Sequence, residues 1–300
     1  MGLNMSRSFL ARLPLARSGL DRDHRGRDDA SLLRHPDARF VVLADGLALL
    51  SSETQLAKLT AAEAPGSELV VYLGLADTGA PYFCVVLDEP GDLAPWGNLR
   101  TLGARLDELD AALFVEALAI ANWHLAHRFS PLSGAATVVD KAGWVLRDPE
   151  TDRELFPRTD MAVIVGVTDA DDRLLLGSNA AWESNRFSLL AGFVEPGESL
   201  EAAVAREVFE ESGIRVADPV YLGSQPWPFP ASLMVGFTAR VDESVESTLT
   251  PDGEEILALR WFTREELAAS VGEIQLPGRA SIANAIIEEW FGGPVPRADR

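Results

Sequence analysis

The sequence is poor in cysteine, in lysine and in positive charge. Its 300 residues include one cysteine, Cys84, which excludes an internal disulfide framework and a cysteine-based zinc site. Lys58 and Lys141 are the only lysines, and 26 basic residues face 46 acidic ones, for a net charge of −20. This balance argues against a general binder of nucleic acid or of anionic membranes, because such proteins need a basic face. Cys84 lies in an apolar, strand-like run, and we expect it to be a buried small hydrophobe.

Long apolar runs are lacking too. No stretch reaches the roughly 18 apolar residues that a membrane span needs. Apolar residues still make up 47% of the chain, which is enough for a packed core. Arginine carries nearly all the positive charge throughout, so the Arg-rich start does not stand out as a targeting segment. We therefore expect a cytoplasmic protein of about two domains that does not bind membranes.

The residue patterns divide the chain into three regions. Residues 1–127 combine strand-like runs with helical apolar spacing from Gly103 to His127, and predict an N-terminal α+β domain. Residues 128–158 have little periodicity and several turn signals, which is typical of a connector. Residues 159–300 predict a second domain. It contains a hairpin with Asp169–Asp172 at its turn, a helix from about Ser199 to Ser212, further strands, and two short helices near the end. Gly213 is placed to end the long helix.

Three glutamates, Glu207, Glu210 and Glu211, lie on that helix. Most acidic helix faces are simply solvated. Here, however, Glu207 and Glu211 follow Leu200 by seven and eleven residues, so both point within about 20° of its apolar direction. An inward-pointing carboxylate is costly unless it is paired or bound to a cation. The pattern favours a site for a hard divalent cation such as Mg²⁺, which takes oxygen ligands and leaves room for phosphate.

The helix and the loop before it resemble a known family. From Gly192 to Ile214 the sequence reads G, five residues, E, seven residues, R-E-V-F-E-E-S-G-I, and this resembles the complete Nudix box. The matching residues are Gly192, Glu198, Arg206, Glu207, Glu210, Glu211 and Gly213. The resemblance implies an α/β/α sandwich with a mixed sheet, and hydrolysis of a nucleoside diphosphate linked to another moiety.

The same resemblance implies roles for individual residues. Glu207 and Glu211 would be metal ligands, and Glu210 would be a further ligand or a water-orienting group. Ala191 would offer its backbone carbonyl to a metal, and Arg206 would orient the glutamates by salt bridges, although it could also be an ordinary surface arginine. Two or three Mg²⁺ or Mn²⁺ ions per active site are implied, which would polarise a phosphorus and lower the pKa of the attacking water.

A second stretch, SQPWPFPASLM, runs from Ser224 to Met234. Its prolines alternate with Trp227 and Phe229, and because proline fixes φ we expect a stiff, extended loop. Such a loop can simply pack on the core, but stiffness with aromatic rings also suits holding a flat ring of a substrate. The stretch resembles the signature of the NADH pyrophosphatase branch of Nudix hydrolases.

That branch implies hydrolysis of NAD(H) to nicotinamide mononucleotide and AMP by a homodimer. The implied lining of the dinucleotide site is Gln225, Pro226, Trp227, Pro228, Phe229, Pro230, Ala231 and Ser232. Five residues outside the stretch match further positions of the branch. Phe193 matches an aromatic that stacks on a substrate ring, and Glu255 a metal ligand. Ala283 matches a position whose backbone contacts the substrate. Phe156 matches an aromatic residue that reaches the nicotinamide end across a dimer, and Arg100 matches an arginine that binds the substrate.

The connector departs from this branch. Family members carry a four-cysteine zinc ribbon there, and its ligand positions are here Ser130, Ser133, Asp148 and Thr151. Serine and threonine are poor zinc ligands beside thiolate, so we expect no zinc. His124 and His127 read as ordinary helix residues. The apolar residues expected to hold the connector instead, with Trp144 as the anchor, are Phe129, Val138, Val139, Trp144, Val145, Leu155 and Phe156.

Two alternatives to NAD(H) hydrolysis stay open. The same chemistry could remove NAD caps from RNA 5′ ends, although a net charge of −20 disfavours a grip on long RNA. The chain could also be a dinucleotide-sensing binding protein on the same fold. A sensor is expected to lose at least one glutamate of the box, and none is lost.

Overall fold

The computed structural model describes residues 9–91, 95–183 and 185–297. The chain divides into two compact units. The C-terminal unit comprises Met1–Leu13, Asp160–Gln225 and Leu233–Arg300, and the N-terminal unit comprises Pro14–Thr159 and Pro226–Ser232. The connector therefore groups with the residues before it, and so does the tip of the proline-rich stretch.

The N-terminal unit is built on a six-stranded mixed sheet, in the order β3-β2-β1-β5-β4 with β6 beside β2. Its strands are β1 (Arg39–Ala44), β2 (Leu47–Ser52), β3 (Gln55–Leu56), β4 (Leu69–Leu75), β5 (Pro81–Leu87) and β6 (Trp96–Asn98). β1 and β5 are parallel, whereas β1–β2 and β4–β5 are antiparallel. Alternate residues of β1 enter different core clusters, Val41 and Leu43 on one face and Phe40 and Val42 on the other, as the period of a strand requires.

One long helix, α2 (Glu108–Ala126), covers one face of this sheet, after a short helix α1 (Leu99–Leu102). Asp107 caps α2 by accepting a hydrogen bond from the Asp110 backbone N–H, so the helix begins later than the predicted Gly103. By length and composition α2 could cross a membrane, but most of it is buried in this core. The prediction for Cys84 is confirmed, since the thiol is fully buried beside α2 and burial raises its pKa.

The connector forms a small antiparallel sheet of β7 (Val138–Asp140), β8 (Val145–Arg147) and β9 (Glu154–Leu155). Trp144 anchors it as predicted, because its indole N–H donates to the Tyr72 carbonyl at 2.7 Å and the Arg27 guanidinium lies 3.6 Å from the centre of its ring. Val145 is buried. Leu155 is partly buried. Four other predicted core candidates were wrong, because this sheet is too small to cover them. The exposed ones are Phe129, Val138, Val139 and Phe156.

A buried carboxylate organises the connector instead. Asp148 accepts hydrogen bonds from the Ser130 hydroxyl at 2.6 Å and from the backbone N–H groups of Glu150 and Thr151 at 2.9 and 3.2 Å. The Ser133 hydroxyl also contacts this carboxylate, and Ser130 comes first among the groups that hold the pKa of Asp148 well below its usual range. The four positions at which the family resemblance implies zinc ligands therefore meet in a hydrogen-bonded cluster.

The C-terminal unit contains a second six-stranded sheet, in the order β13-β14-β10-β11-β15 with β12 beside β10. Its strands are β10 (Asp160–Thr168), β11 (Leu174–Asn179), β12 (Leu190–Phe193), β13 (Val216–Trp227), β14 (Ser232–Val241) and β15 (Ile256–Phe262). Its helices are α3 (Leu200–Ser212), α4 (Arg264–Ala269) and α5 (Ile282–Phe291). The predicted hairpin turn at Asp169–Asp172 is confirmed between β10 and β11.

Helices lie on both faces of this sheet. Val163 and Val165 of β10 pack with Val204 and Val208 of α3. Gly166, which points to the opposite face of β10, lies against Ile286 of α5. This arrangement confirms the predicted α/β/α sandwich. The prediction that the whole proline-rich stretch is a loop was wrong, because β13 extends to Trp227 and β14 starts at Ser232. β13 lies at the edge of the sheet, where proline is tolerated because no partner needs its missing N–H.

Candidate active site

Helix α3 presents the predicted glutamates from within the C-terminal unit. Ser199 caps it by accepting from the Ala202 N–H, and Gly213 ends it with a left-handed φ of 69°. Val204 and Val208 bury one side of the helix, and Glu211 lies in the same inward direction with 5% of its surface exposed. The helix therefore forces a carboxylate into the protein, as its apolar spacing indicates.

Arg206 organises the carboxylates around it. Its guanidinium pairs with Glu198 at 2.6 Å, with Glu207 at 2.9 Å and with Glu210 at 3.0 Å. It also donates to the Phe193 carbonyl at 3.0 Å. The side chains of Glu198 and Glu207 are largely buried, whereas that of Glu210 is mostly exposed. Arg206 thus ties α3 to the end of β12 and to the loop between them, and it is not an ordinary surface arginine.

Close approach of α3 to β12 depends on a glycine. A Cβ on Gly192 would lie 2.0 Å from the carboxyl carbon of Glu207, so any other residue would displace that side chain. The neighbouring Ala191 directs its backbone N–H to the Glu211 carboxylate. β12 therefore positions both inward glutamates. The missing side chain of Gly192 leaves room for Glu207, and the Ala191 N–H donates a hydrogen bond to Glu211.

Glu211 has the most perturbed charge in this cluster. Burial, and then the charges of Glu255 and Glu207, raise the pKa of Glu211 to about 8. Burial also raises the pKa of Glu207, although Arg206 opposes this. Within the described residues, Glu211 Oε2 is buried and has no hydrogen-bond partner. An acceptor left in this state costs free energy, and a bound cation would offset that cost.

Glu255 comes from a different part of the same unit. It precedes β15, and its backbone N–H is held by the Asp252 carboxylate at 2.8 Å. Asn179, the last residue of β11, donates its side-chain amide to Glu255 Oε1 at 3.3 Å. Glu254 beside it is exposed. The charge of Glu255 acts on both Glu207 and Glu211, so these three carboxylates form one cluster.

Residues 28–123 match the NADH pyrophosphatase-like rudimentary NUDIX domain, and residues 157–284 match the NUDIX domain. NAD-capped RNA hydrolase NudC of Mycobacterium bovis (strain BCG / Pasteur 1173P2) is 43% identical over 301 residues, covering 92% of this chain and 94% of its own. The chain belongs to the Nudix family. It is a Nudix hydrolase with the paired N-terminal domain of the NADH pyrophosphatase type.

Other relatives of this Nudix hydrolase are more distant. NAD-capped RNA hydrolase NudC of Stutzerimonas stutzeri (strain A1501) is 39% identical over 74% of this chain and 77% of its own. NAD-capped RNA hydrolase NUDT12 of Homo sapiens is 36% identical over 62% of this chain and 43% of its own. A NUDIX hydrolase of known structure from Nitrosomonas europaea matches 56% of this chain and 95% of its own, at 18% identity and with a TM-score of 0.43.

Nudix hydrolases use divalent metal ions, and the cluster suits one. Carboxylate oxygens are the ligands that hard cations prefer. Among the described residues Glu211 has a buried oxygen without a hydrogen-bond partner, and burial and neighbouring negative charge raise its pKa. A bound cation would pair with that oxygen and offset the negative charge. In the described part of the chain no three acidic, histidine or cysteine side chains yet converge on one point. The carboxylates of Glu207 and Glu210 are paired with Arg206 instead.

The predicted substrate residues lie in both units. In the C-terminal unit, the Gln225 amide N–H donates to the Ala280 carbonyl at 2.9 Å, and its fully buried Oε1 has no partner among the described residues. Ala283 is buried, and its N–H is accepted by the Ser281 side chain at the start of α5. Phe193 is exposed at the end of β12. The roles of these three residues toward a substrate stay predictions.

In the N-terminal unit, Trp227 and Phe229 meet edge to face with ring centres 5.0 Å apart. Both rings pack against the core of that unit. The guanidinium of Arg100 lies 3.8 Å from the centre of the Phe229 ring and 5.2 Å from that of Trp227. Phe156 is 61% exposed, just after β9. The structure thus brings Arg100 to the predicted loop, while Phe156 is free to contact a molecule outside its own unit's core.

Sequence reasoning missed three residues of this arrangement. Asp252 could have been found, because D-G-E-E is typical of a turn in which an aspartate accepts from later N–H groups. Asn179 lies far from Glu255 in the sequence, and no local pattern marks it. Asn122 donates to the Pro228 and Pro230 carbonyls, and it looks like any polar residue of a long helix.

Proposed function

We propose that this protein hydrolyses the pyrophosphate bond of NAD(H), giving nicotinamide mononucleotide and AMP, with a divalent cation bound at the α3 cluster. The observation that carries the proposal is the buried Glu211 carboxylate, with one unsatisfied oxygen and a pKa raised to about 8 beside Glu207 and Glu255. Perturbed carboxylates grouped in this way are typical of functional sites. The rudimentary N-terminal domain and the names of the relatives support NAD(H) as the substrate class.

The residues of the chain would divide the work as follows. Glu207, Glu211 and Glu255 would hold the cation, together with the Ala191 carbonyl. The bound cation supplies neutralisation of the pyrophosphate and a lowered pKa for the attacking water. Glu210, more exposed than its neighbours, would add a ligand or orient that water. Arg206 keeps Glu207 and Glu210 directed to one side of the helix, which reduces the reorganisation needed when substrate binds.

Substrate recognition would rest on the aromatic residues. Phe193 would stack on one ring of the dinucleotide, and Trp227 and Phe229 would set the shape of the site for a flat ring. Gln225 would use its unpaired amide oxygen, and Ala283 its backbone, for polar contacts. Phe156 and Arg100 complete the proposed set. An exposed Phe156 supports the expectation of a homodimer, in which the ring of one copy would reach the site of the other.

A second candidate function is removal of the NAD cap from RNA 5′ ends. The names of relatives at 43% and 39% identity favour it, and the chemistry would be the same. A net charge of −20 works against holding a long RNA, because affinity for RNA rests on neutralised phosphates. We therefore place free NAD(H) first. A cytoplasmic location, Mg²⁺ or Mn²⁺ as the metal, and the lack of zinc belong to the same proposal.

A substrate panel separates these candidates. Purified protein would be incubated with Mg²⁺ or Mn²⁺ and with NADH, NAD⁺, ADP-ribose, diadenosine compounds or NAD-capped RNA, and kcat/KM compared. We expect NADH or NAD⁺ to give the highest value, with nicotinamide mononucleotide and AMP as products. A higher value for capped RNA would assign the cap as the substrate. Tight NAD(H) binding without turnover under any metal would instead identify a sensor.

A further inference from the structure

The proline-rich turn, residues 226–232, joins β13 to β14 and has few backbone donors of its own. Pro226, Pro228 and Pro230 have no N–H to donate. A hydrogen bond inside the turn runs from the Phe229 N–H to the Trp227 carbonyl at 2.7 Å. The carbonyls of Pro228 and Pro230 therefore need donors from elsewhere, and these two carbonyls flank the aromatic Phe229.

Asn122 supplies both donors. Its side-chain amide nitrogen lies 2.9 Å from the Pro228 carbonyl oxygen and 3.2 Å from that of Pro230. An amide group has two N–H bonds, and here each serves one carbonyl. Asn122 belongs to α2, where its neighbours Ala121 and Leu118 are buried in the core. The turn is thus fastened to a rigid helix that is more than a hundred positions away in the sequence.

Arg100 completes the support from another element. Its guanidinium lies against the faces of Phe229 and Trp227, at 3.8 and 5.2 Å from the ring centres. The planar contact restrains the rings but leaves the backbone free to shift. Asn122 fixes the backbone on both sides of Phe229, so the two side chains restrain different degrees of freedom of the turn.

We infer that Asn122 is a positioning residue, which sets the selectivity of this enzyme for dinucleotides with a second flat base by fixing the turn that carries Trp227 and Phe229. The inference rests on the proposed function. Asn122 acts through the turn and has no role in the chemistry at the pyrophosphate. Its loss should therefore weaken binding of the ring-bearing substrate and leave the hydrolytic step largely intact.

The test compares NADH with ADP-ribose, which has the same pyrophosphate and lacks the nicotinamide ring. In Asn122→Leu the side-chain volume is kept and both donors are lost. We expect KM for NADH to rise on the order of 10-fold, as loss of two neutral hydrogen bonds allows. We expect kcat for NADH, and both constants for ADP-ribose, to change less than about 3-fold. Asn122→Gln, which keeps the amide, should restore part of the loss.

Two further measurements guard against a merely structural effect. Leu125→Ala, at an exposed position one turn further along α2, is the matched control and should leave all four constants unchanged. Backbone hydrogen exchange of Trp227 and Phe229 should quicken in Asn122→Leu and in Asn122→Asp, which places a carboxylate against two carbonyl oxygens. Exchange can be measured without activity, so a poorly active variant still gives an answer.

The outcomes separate the inference from the proposed function. Equal losses on NADH and ADP-ribose, or unchanged exchange at the turn in both variants, would overturn the role of Asn122 while NADH hydrolysis stands. A wild-type protein that hydrolyses ADP-ribose but not NADH would overturn the proposed substrate, and the inference with it. A selective rise in KM for NADH with faster exchange at the turn would support both.

Discussion

At the scale of single residues, Glu211 combines a cost to folding with a proposed gain for catalysis. Its carboxylate is buried, one oxygen has no hydrogen-bond partner among the described residues, and its pKa is raised to about 8. A glutamine of the same shape carries no charge into that environment. Replacement of Glu211 by glutamine should therefore raise the free energy of unfolding and lower the activity.

We predict that Glu211→Gln lowers kcat with Mg²⁺ by on the order of 10²-fold or more, while leaving the melting temperature equal or higher. The matched control is Glu254→Gln, an exposed acid next to Glu255, which should affect neither. Steady-state kinetics and thermal unfolding at pH 8 measure the two effects. Near-normal kcat in Glu211→Gln would remove this residue from the mechanism.

Glu116 is a second buried acid, in the N-terminal unit and without a part in the proposed chemistry. Burial raises its pKa from 4.5 to about 7, although the charges of Arg22 and Arg27 oppose this. The folded protein therefore binds more protons than the unfolded chain between these two values. Because of that difference, the contribution of Glu116 to the free energy of unfolding falls as pH rises through this window.

Replacement of Glu116 by Gln should remove that pH dependence. We expect Glu116→Gln to be more stable than the wild type at pH 8, by on the order of 1–3 kcal/mol, and to lose most of this advantage at pH 4.5. Denaturant unfolding of both proteins at the two pH values gives the comparison, in which groups shared by the two proteins cancel. A difference in stability that does not change with pH would show that Glu116 is charged in the folded state.

At the scale of elements, the connector shows how a small sheet is held by polar groups. Asp148 is fully buried and accepts from a serine hydroxyl and from two backbone N–H groups of its own turn. These bonds favour its charged form and lower its pKa. Their stabilising effect is therefore present above the ordinary pKa of aspartate, and is lost as pH falls toward the lowered value.

We predict that Asp148→Ala increases hydrogen exchange throughout residues 128–158 at neutral pH. The reason is that Ser130 and the turn after β8 lose their common acceptor. Glu150→Ala is the control, because its backbone N–H stays in place and its side chain is exposed. If hydrogen exchange rises only at the turn next to residue 148, the Asp148 carboxylate holds that turn and does not hold the whole connector.

The same elements show what a sequence can and cannot predict. Helix α3 was predictable at both ends, since Ser199 and Gly213 act locally and the apolar period marks its buried side. The exposure of Phe156 and Val138 was not, because apolar character does not say whether enough surface is available to cover a side chain. The bonds of Asn122 and Asn179 were not predictable either, because both partners are long-range and asparagine has no periodic signal.

At the scale of the whole molecule, polar contacts lie at the connector positions where the family resemblance implies zinc ligands. The single cysteine lies in the core of the N-terminal unit. His124 and His127 are already hydrogen-bonded, to the carbonyls of Gly143 and Trp123 at 2.8 and 2.9 Å. The connector is held by the Asp148 cluster and by the Trp144 indole on Tyr72. A structural zinc can supply roughly 10 kcal/mol to a small ribbon, so its presence or absence should be visible in the response of the protein to chelators.

We predict that purified protein contains no stoichiometric zinc, and that a zinc-selective chelator in the presence of Mg²⁺ changes neither the melting temperature nor kcat. EDTA, which removes all divalent ions, should abolish activity, and Mg²⁺ alone should restore it, because the α3 cluster offers only oxygen ligands. Trp144→Ala should lower the melting temperature in the same assay, since it removes a partly buried ring and its hydrogen bond. One zinc per chain by elemental analysis, with a lower melting temperature after chelation, would mean that Asp148 and the histidines bind the metal, and that the hydrogen-bonded cluster is not what holds the connector.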